Sequence, residues 1–261
     1  MDGRCTYKTD WRREVRRRVN SFQYIVTGAS SGIGFAVTQA LLEKGMSVIG
    51  IGTDVSKVSL FQSRYPENVF KFFSYDLTEI HGIEDLFPKF LSKFDGLILC
   101  AGKEESMPLS LYGPDKILSI FQLNVLANIE LIRNFSKKKF SNEGSSIVVV
   151  ASTMAELGEV GKVGYCSTKA SLLGLVKSSA LELIRRKIRV NAVSPAIVRT
   201  PLTEKMFSSL TEEQIAEIMK MHPGGIGSVE DVVPAILFLL SDGARWITGQ
   251  NLNIDGGYSI R

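Results

Sequence analysis

"QYIVTGASSGIGFAV", residues 23–37, is the stretch on which the fold turns. Gln23 to Val26 is a short run with the β-branched character of a buried strand, whereas Ile33, Val37, Ala40 and Leu41 recur at helical spacing. Gly28, Gly32 and Gly34 lie between the two patterns, so a strand turns sharply into a helix. Glycines at such a junction permit backbone angles and close approaches that a side chain would block, and the helix start presents unpaired N–H groups to an anion. The spacing is Gly-x-x-x-Gly-x-Gly, not the Gly-x-Gly-x-x-Gly of the general dinucleotide fingerprint. Taken alone, the turn is a phosphate cradle or merely a tight connection, and the rest of the chain must decide.

Outward from this turn the alternation of strand and helix continues. "MSVIGI" (46–51), "VFKFFSY" (69–75), "GLILCA" (96–101), "SIVVVAS" (146–152), "IRVNAVS" (188–194) and residues 251–255 read as further strands. Helical patterns lie between them, with a long helix near 163–187 and another near 229–241. Strands that are apolar throughout and separated by helices imply a parallel sheet covered on both faces, a single doubly wound α/β domain of about seven strands. Ligands of such folds sit beyond the carboxyl ends of the strands. That rule singles out "TGASSGIG", Asp76, "CAG" at 100–102, Ser152 and "SPAIVRTP" at 194–201. Residues 201–228 are the one irregular stretch, with Leu202, Met206, Phe207, Leu210, Ile215, Ile218 and Met219 around a helical pattern; a lid over a substrate pocket and an ordinary amphipathic connector both fit it.

The chain has 261 residues, 44% of them hydrophobic and 22% charged, which suits one soluble globular core. No apolar run reaches the roughly 20 residues needed to span a bilayer, and the first residues lack the apolar centre of a secretory signal, so the expected location is the cytoplasm. The formal net charge of +4 resides in residues 1–20, where Arg4, Lys8, Arg12, Arg13, Arg16, Arg17 and Arg18 outnumber Asp2, Asp10 and Glu14. Residues 1–21 are therefore read as a basic extension to the domain at 22–261, solvated and poorly ordered, with no nucleic acid or membrane partner expected. Cys5, Cys100 and Cys166 form no Cys-x-x-Cys pair, and His81 and His222 lie far apart without a metal-site motif, so neither a disulfide framework nor a metal is expected.

Tyr165 and Lys169, in "YCSTK", are four apart and share one face of a helix. A tyrosine hydroxyl with a pKa near 10 exchanges protons poorly at neutral pH, and a nearby ammonium favours the phenolate. Such a pair also arises by chance on many helix surfaces.

"TGASSGIG", "CAG", Asn124 in "LNVLAN", Ser152 thirteen residues before Tyr165, "YCSTK", "RVNAVSP" and "WITGQNLNIDGGYS", taken together over residues 22–260, resemble the short-chain dehydrogenases/reductases. The resemblance implies an NAD(P)-dependent oxidoreductase with a catalytic tetrad of Asn124, Ser152, Tyr165 and Lys169. Tyr165 would exchange the proton at a carbonyl or alcohol oxygen that Ser152 also holds, Lys169 would lower the tyrosine pKa and bind the nicotinamide ribose, and Asn124 would anchor a water linking Lys169 to solvent. The family pattern maps the dinucleotide onto Gly28, Ser30, Ser31, Gly32, Ile33 and Gly34 at the pyrophosphate turn and onto Asp76 and Leu77 at the adenine. Thr53, Ala101 and Gly102 would lie on the adenosine side, with Tyr165, Lys169, Pro195, Ile197 and Thr200 toward the nicotinamide. Cys100 and Ala196 stand where the family usually has Asn and Gly.

After the second strand, Gly52 falls where NAD-preferring members carry an acid, and Thr53 and Lys57 offer contacts to a 2′-phosphate. The expected cofactor is therefore NADP(H), with NAD(H) possible because Asp54 lies only two residues on. The chain is similar to 3-oxoacyl-[acyl-carrier-protein] reductases and also to reductases acting on sugars. The expected partner is a small-molecule or acyl-carrier-linked carbonyl compound, met by the basic helix ends at Arg133, Lys137, Lys138 and Lys139 and at Arg185, Arg186 and Lys187. A non-catalytic cofactor-sensing protein is the alternative of a different class, and an intact tetrad speaks against it. The family habit of pairing helices across twofold axes implies a homotetramer, with Leu172, Leu175, Val176 and Ala180 offered for burial.

Overall fold

The structure, a computed structural model, describes residues 23–90 and 92–260; the Arg-rich extension lies outside the described residues. Seven strands form one parallel sheet: β1 (Gln23–Thr27), β2 (Ser47–Gly52), β3 (Phe70–Ser74), β4 (Phe94–Leu99), β5 (Ser141–Val150), β6 (Arg189–Pro195) and β7 (Asn251–Ile254), in the spatial order β3-β2-β1-β4-β5-β6-β7. The chain winds outward from β1 to one edge, then crosses back to β4 and winds to the other. The break in strand order between β1 and β4 opens a crevice at the carboxyl ends.

Alternation along each strand divides the core in two. Ile25, Leu97, Leu99, Ile147 and Val149 point to one face, beneath α4 (Ala127–Phe135) and α5 (Val163–Leu183). Val26, Ile98 and Val148 point to the other, beneath α1 (Gly32–Glu43) and α8 (Val229–Leu240). Both sets are buried, which is why these strands read as unbroken apolar runs. Phe87, Phe90, Phe94 and Phe140 fill the lower end of the first face, with ring centroids 5.1–5.5 Å apart in successive pairs.

Three expectations need correction. The helical pattern between the third and fourth strands is only two short 3₁₀ turns, Ile80–Asp85 and Phe87–Lys89, because Gly82 and Pro88 interrupt it. The fifth strand begins five residues earlier than its apolar run, at Ser141, with an irregularity opposite Phe94 and Gly96. Leu172, Val176 and Ala180 are buried within the chain's own core, so they are not free for a subunit contact, and Leu175 packs against the same core. The outward apolar residues of this region are Leu118, Leu126, Ile129, Leu181 and Ile184 instead.

Candidate active site

The turn from β1 into α1 is shaped by contact as well as conformation. Gly28 and Gly32 have φ of +66° and +51°, in the left-handed region that side chains avoid. A Cβ at Gly34 would fall on the carbonyl oxygen of Gly28, so the helix can lie this close to the strand only with glycine there. Ser31 occupies the N-cap of the twelve-residue α1 without making a side-chain cap, and the first turn carries no acid. The positive end of the helix is thus left to an external anion, and the turn fits a dinucleotide pyrophosphate.

The other sequence-predicted residues converge on the same crevice. One cleft is lined by Ile33, Gly102, Ser152, Tyr165, Lys169, Pro195, Ile197 and Thr200. Gly28 abuts Ala101, Gly32 abuts Thr200, and Gly102 abuts Asn124. Thr53 is exposed beyond β2. Asp76, also exposed, binds the amide and hydroxyl of Thr78 at 2.9 and 2.8 Å, and the Leu77 side chain belongs to the core, which leaves only its main chain to face an adenine.

Asn124 sits in a π-helical turn, Gln122–Leu126, that joins α3 (Pro114–Phe121) to α4. The wide turn leaves the Asn124 carbonyl to the Asn128 amide, which donates to it at 2.7 Å. The Asn124 side chain accepts from the Lys103 N–H at 2.9 Å and donates to the Lys103 carbonyl at 2.9 Å and to Thr168 Oγ1 at 3.1 Å. It is 1% exposed and ties the loop after β4 to α5.

Lys169 is also buried, with Nζ donating to the Val150 carbonyl at 2.9 Å and lying 5.6 Å from the centre of the Tyr165 ring. Burial lowers its pKa to about 8, against the pull of Cys100 and Glu104. Tyr165 behaves differently from the expectation. Burial, and then the Glu104 carboxylate, push its hydroxyl up to about 12, while Ser152 and the Lys162 ammonium pull it down. The phenol therefore holds its proton at neutral pH, and the balance is set more by Glu104, Ser152 and Lys162 than by Lys169. Cys100 is pushed up to about 12 by burial and stays a neutral thiol.

Sequence reasoning missed a charged wall of this cleft. Lys162, at the N-cap of α5, pairs with Glu104 at 2.9 Å and with Glu159 at 3.0 Å. His222, Tyr258 and Met206 line the same cleft. The available signal was position: Lys162 precedes Tyr165 by three residues on a common helix face, and Glu104 follows "CAG" by two.

Two other expectations weaken on geometry. Lys57 is already paired with Asp54 at 3.2 Å, and Asp54 also accepts from Ser56, so both are turned toward each other at the end of the β2 loop. Of the basic helix ends, Arg133 is held by Glu130 and Glu84, Arg186 by Ser136 and Ser141 carbonyls, and Lys187 by Glu143. Much of that charge is committed within the chain. Among the described residues, no three metal-ligating side chains come together, and no helix is long and apolar enough to cross a membrane.

The comparisons with known proteins agree with this geometry. The family described as enoyl-(acyl carrier protein) reductase matches residues 28–259. The chain is 32% identical over 234 residues to the 3-oxoacyl-[acyl-carrier-protein] reductase FabG of Rickettsia bellii, covering 89% of this chain and 95% of the relative. Among solved structures, 4-hydroxyisoleucine dehydrogenase complexed with NADH superposes with a TM-score of 0.84 at 32% identity, covering 92% of this chain and 100% of that one. A protein described as a putative NAD(P)-dependent gluconate 5-dehydrogenase, from Beutenbergia cavernae and with bound NADP, gives 0.84 at 27% identity over 91% of this chain and 96% of its own. With the doubly wound sheet, the glycine turn and the Ser152–Tyr165–Lys169 cleft in place, these matches show that the chain belongs to the short-chain dehydrogenase/reductase family of NAD(P)-dependent oxidoreductases.

Proposed function

We propose that the chain reduces the 3-oxo group of an acyl thioester, in the manner of the 3-oxoacyl-[acyl-carrier-protein] reductases it resembles, with NADPH preferred over NADH. The observation that carries the reading is the placement of the Tyr165 hydroxyl beside Ser152 in the cleft that Ile33 of the glycine turn and Lys169 also line. A bound nicotinamide supplies the hydride to the carbonyl carbon. Tyr165 donates its proton to the oxygen as negative charge develops there, and Ser152 donates a hydrogen bond to the same oxygen. Lys169 holds the ribose and offers positive charge as the phenolate forms. Asn124 fixes the Lys103 loop against α5 and keeps the lysine's surroundings in place. Gly28, Ser30, Ser31, Gly32 and Gly34 take the pyrophosphate, Gly102 and the main chain at Asp76 and Leu77 take the adenosine, and Ile33, Pro195, Ile197 and Thr200 take the nicotinamide end.

The preference for NADPH is supported by the lack of a carboxylate at Gly52 and by the engagement of Asp54 with Ser56 and Lys57. A Cβ at Gly52 would lie 2.9 Å from Ser30 Oγ, so an acid there also requires Ser30 to rotate. Residues 201–228 form the lid. A cytoplasmic homotetramer is the expected assembly, supported by exposed large apolar side chains, among them Leu118, Leu181, Phe238, Trp246 and Leu252. Initial rates of NADPH oxidation with 3-oxoacyl thioesters and with keto sugars, repeated with NADH, test the reading. Preferential turnover of the thioesters with NADPH supports it; turnover of keto sugars alone, or a tenfold preference for NADH, contradicts it.

A further inference from the structure

The wall formed by Glu104, Lys162 and Glu159 takes no part in the steps above beyond the influence of Glu104 and Lys162 on the Tyr165 hydroxyl. Lys162 is 9% exposed and bridges both carboxylates, and desolvation of its ammonium is outweighed by their attraction, so it stays charged. The backbone braces the arrangement: the Met107 N–H donates to the Gly161 carbonyl at 2.8 Å, which pins the Glu104 loop to the start of α5. The cleft's other two lysines are turned elsewhere, Lys103 to Ser119 at 2.6 Å and Lys169 to Val150 at 2.9 Å. Two carboxylates around one ammonium leave the wall net negative, with Glu104 Oε2 and Glu159 Oε1 outside the two ion pairs. His222, which lines the same cleft, is 4% exposed and fixed by Ile218, whose carbonyl lies 2.7 Å from Nδ1. Because a carbonyl only accepts, Nδ1 carries a proton, and Nε2 is buried without a partner.

We propose that the Glu104–Lys162–Glu159 wall is a specificity element that admits uncharged carbonyl substrates bearing hydrogen-bond donors and rejects carboxylates. On the thioester reading, on which this rests, it separates the thioester, whose cysteamine arm brings an amide N–H, from the free 3-oxo acid. A substrate carboxylate would add a third anion beside one shared ammonium, whereas an N–H or O–H finds acceptors on Glu104, Glu159 and His222.

The test compares acetoacetyl-N-acetylcysteamine with acetoacetate, by calorimetric titration into enzyme saturated with oxidised dinucleotide and by NADPH turnover. A keto sugar and its matching keto sugar acid serve as a second pair. The expected result is at least tenfold tighter binding of the uncharged member, shrinking severalfold in Glu159→Gln, whose side chain is 44% exposed, and in Glu104→Gln. His222→Phe, which can keep the ring stack on Tyr258, is expected to raise KM more than it lowers kcat. Equal or tighter binding of the acids, or neither member of a pair binding, overturns the inference, as does a ratio unaffected by both glutamine variants. Turnover of the sugar but not the thioester defeats the substrate reading alone, and the sugar pair then judges the wall.

Discussion

The residues proposed for catalysis and the segment proposed as a lid are built in opposite ways. Asn124, Ser152 and Lys169 are 1%, 8% and 7% exposed and are held through contacts between distant parts of the chain, such as Asn124 to Lys103 and Lys169 to Val150. In the proposed lid, α6 (Pro201–Phe207) and α7 (Glu212–Lys220) contain no buried residue. Their order comes from local capping boxes, Thr200 with Thr203 and Thr211 with Gln214. The groups proposed to act on the carbonyl are thus anchored in the core, and the segment proposed to cover it is attached by interactions that break cheaply.

If the contrast holds, substitutions beneath the catalytic layer act on global stability and those in the lid act on substrate affinity. The largest effect is expected for Phe87→Ala, which removes a fully buried ring packed against Phe90 and Phe140; equilibrium denaturation is expected to show a loss of ~3–5 kcal/mol. A loss below about 1 kcal/mol would mean that this end of the core is loosely packed.

A pH profile sharpens the comparison on the catalytic side. Lys169, with a pKa lowered to about 8 from an unfolded value of 10.5, is charged below that pH and neutral above it. The kcat/KM for reduction is expected to fall tenfold per unit as pH rises above about 8. Stability moves the other way: the unfolded chain binds the extra proton between the two values, so this group's contribution rises with pH from about 8 to 10. An activity profile flat to pH 10 would show that the lysine charge is not needed. The smallest effect is expected for Thr211→Ala, which removes the cap of α7 and costs that helix about 1 kcal/mol. A raised KM with an unchanged Tm is the expected pattern, and a large drop in Tm would show that the lid is part of the cooperative core.

The sheet was legible because its strands are buried on both faces, and apolar runs such as "SIVVVAS" carry that burial directly. The glycine turn was legible because Gly34 has no substitute there. What spacing conceals is what lies across a gap in the chain. The π-turn at Asn124 carries no marker of its own, since Asn128 satisfies the carbonyl only once the turn exists. Lys162 looks like a solvated charge until the fold brings Glu104 beside it across more than fifty residues. The Tyr165 environment was misjudged for the same reason. Helical spacing put an ammonium near its ring, but burial and a carboxylate from another loop outweigh it.

Tyr165→Phe tests the central claim most directly, because it deletes the proton donor and little else. With the best substrate at saturation, kcat is expected to fall at least about a hundredfold, while fluorescence titration shows NADPH affinity nearly unchanged. Turnover close to that of the unmodified protein, with the dinucleotide still bound, would contradict the assignment of Tyr165 as the group that protonates the carbonyl oxygen.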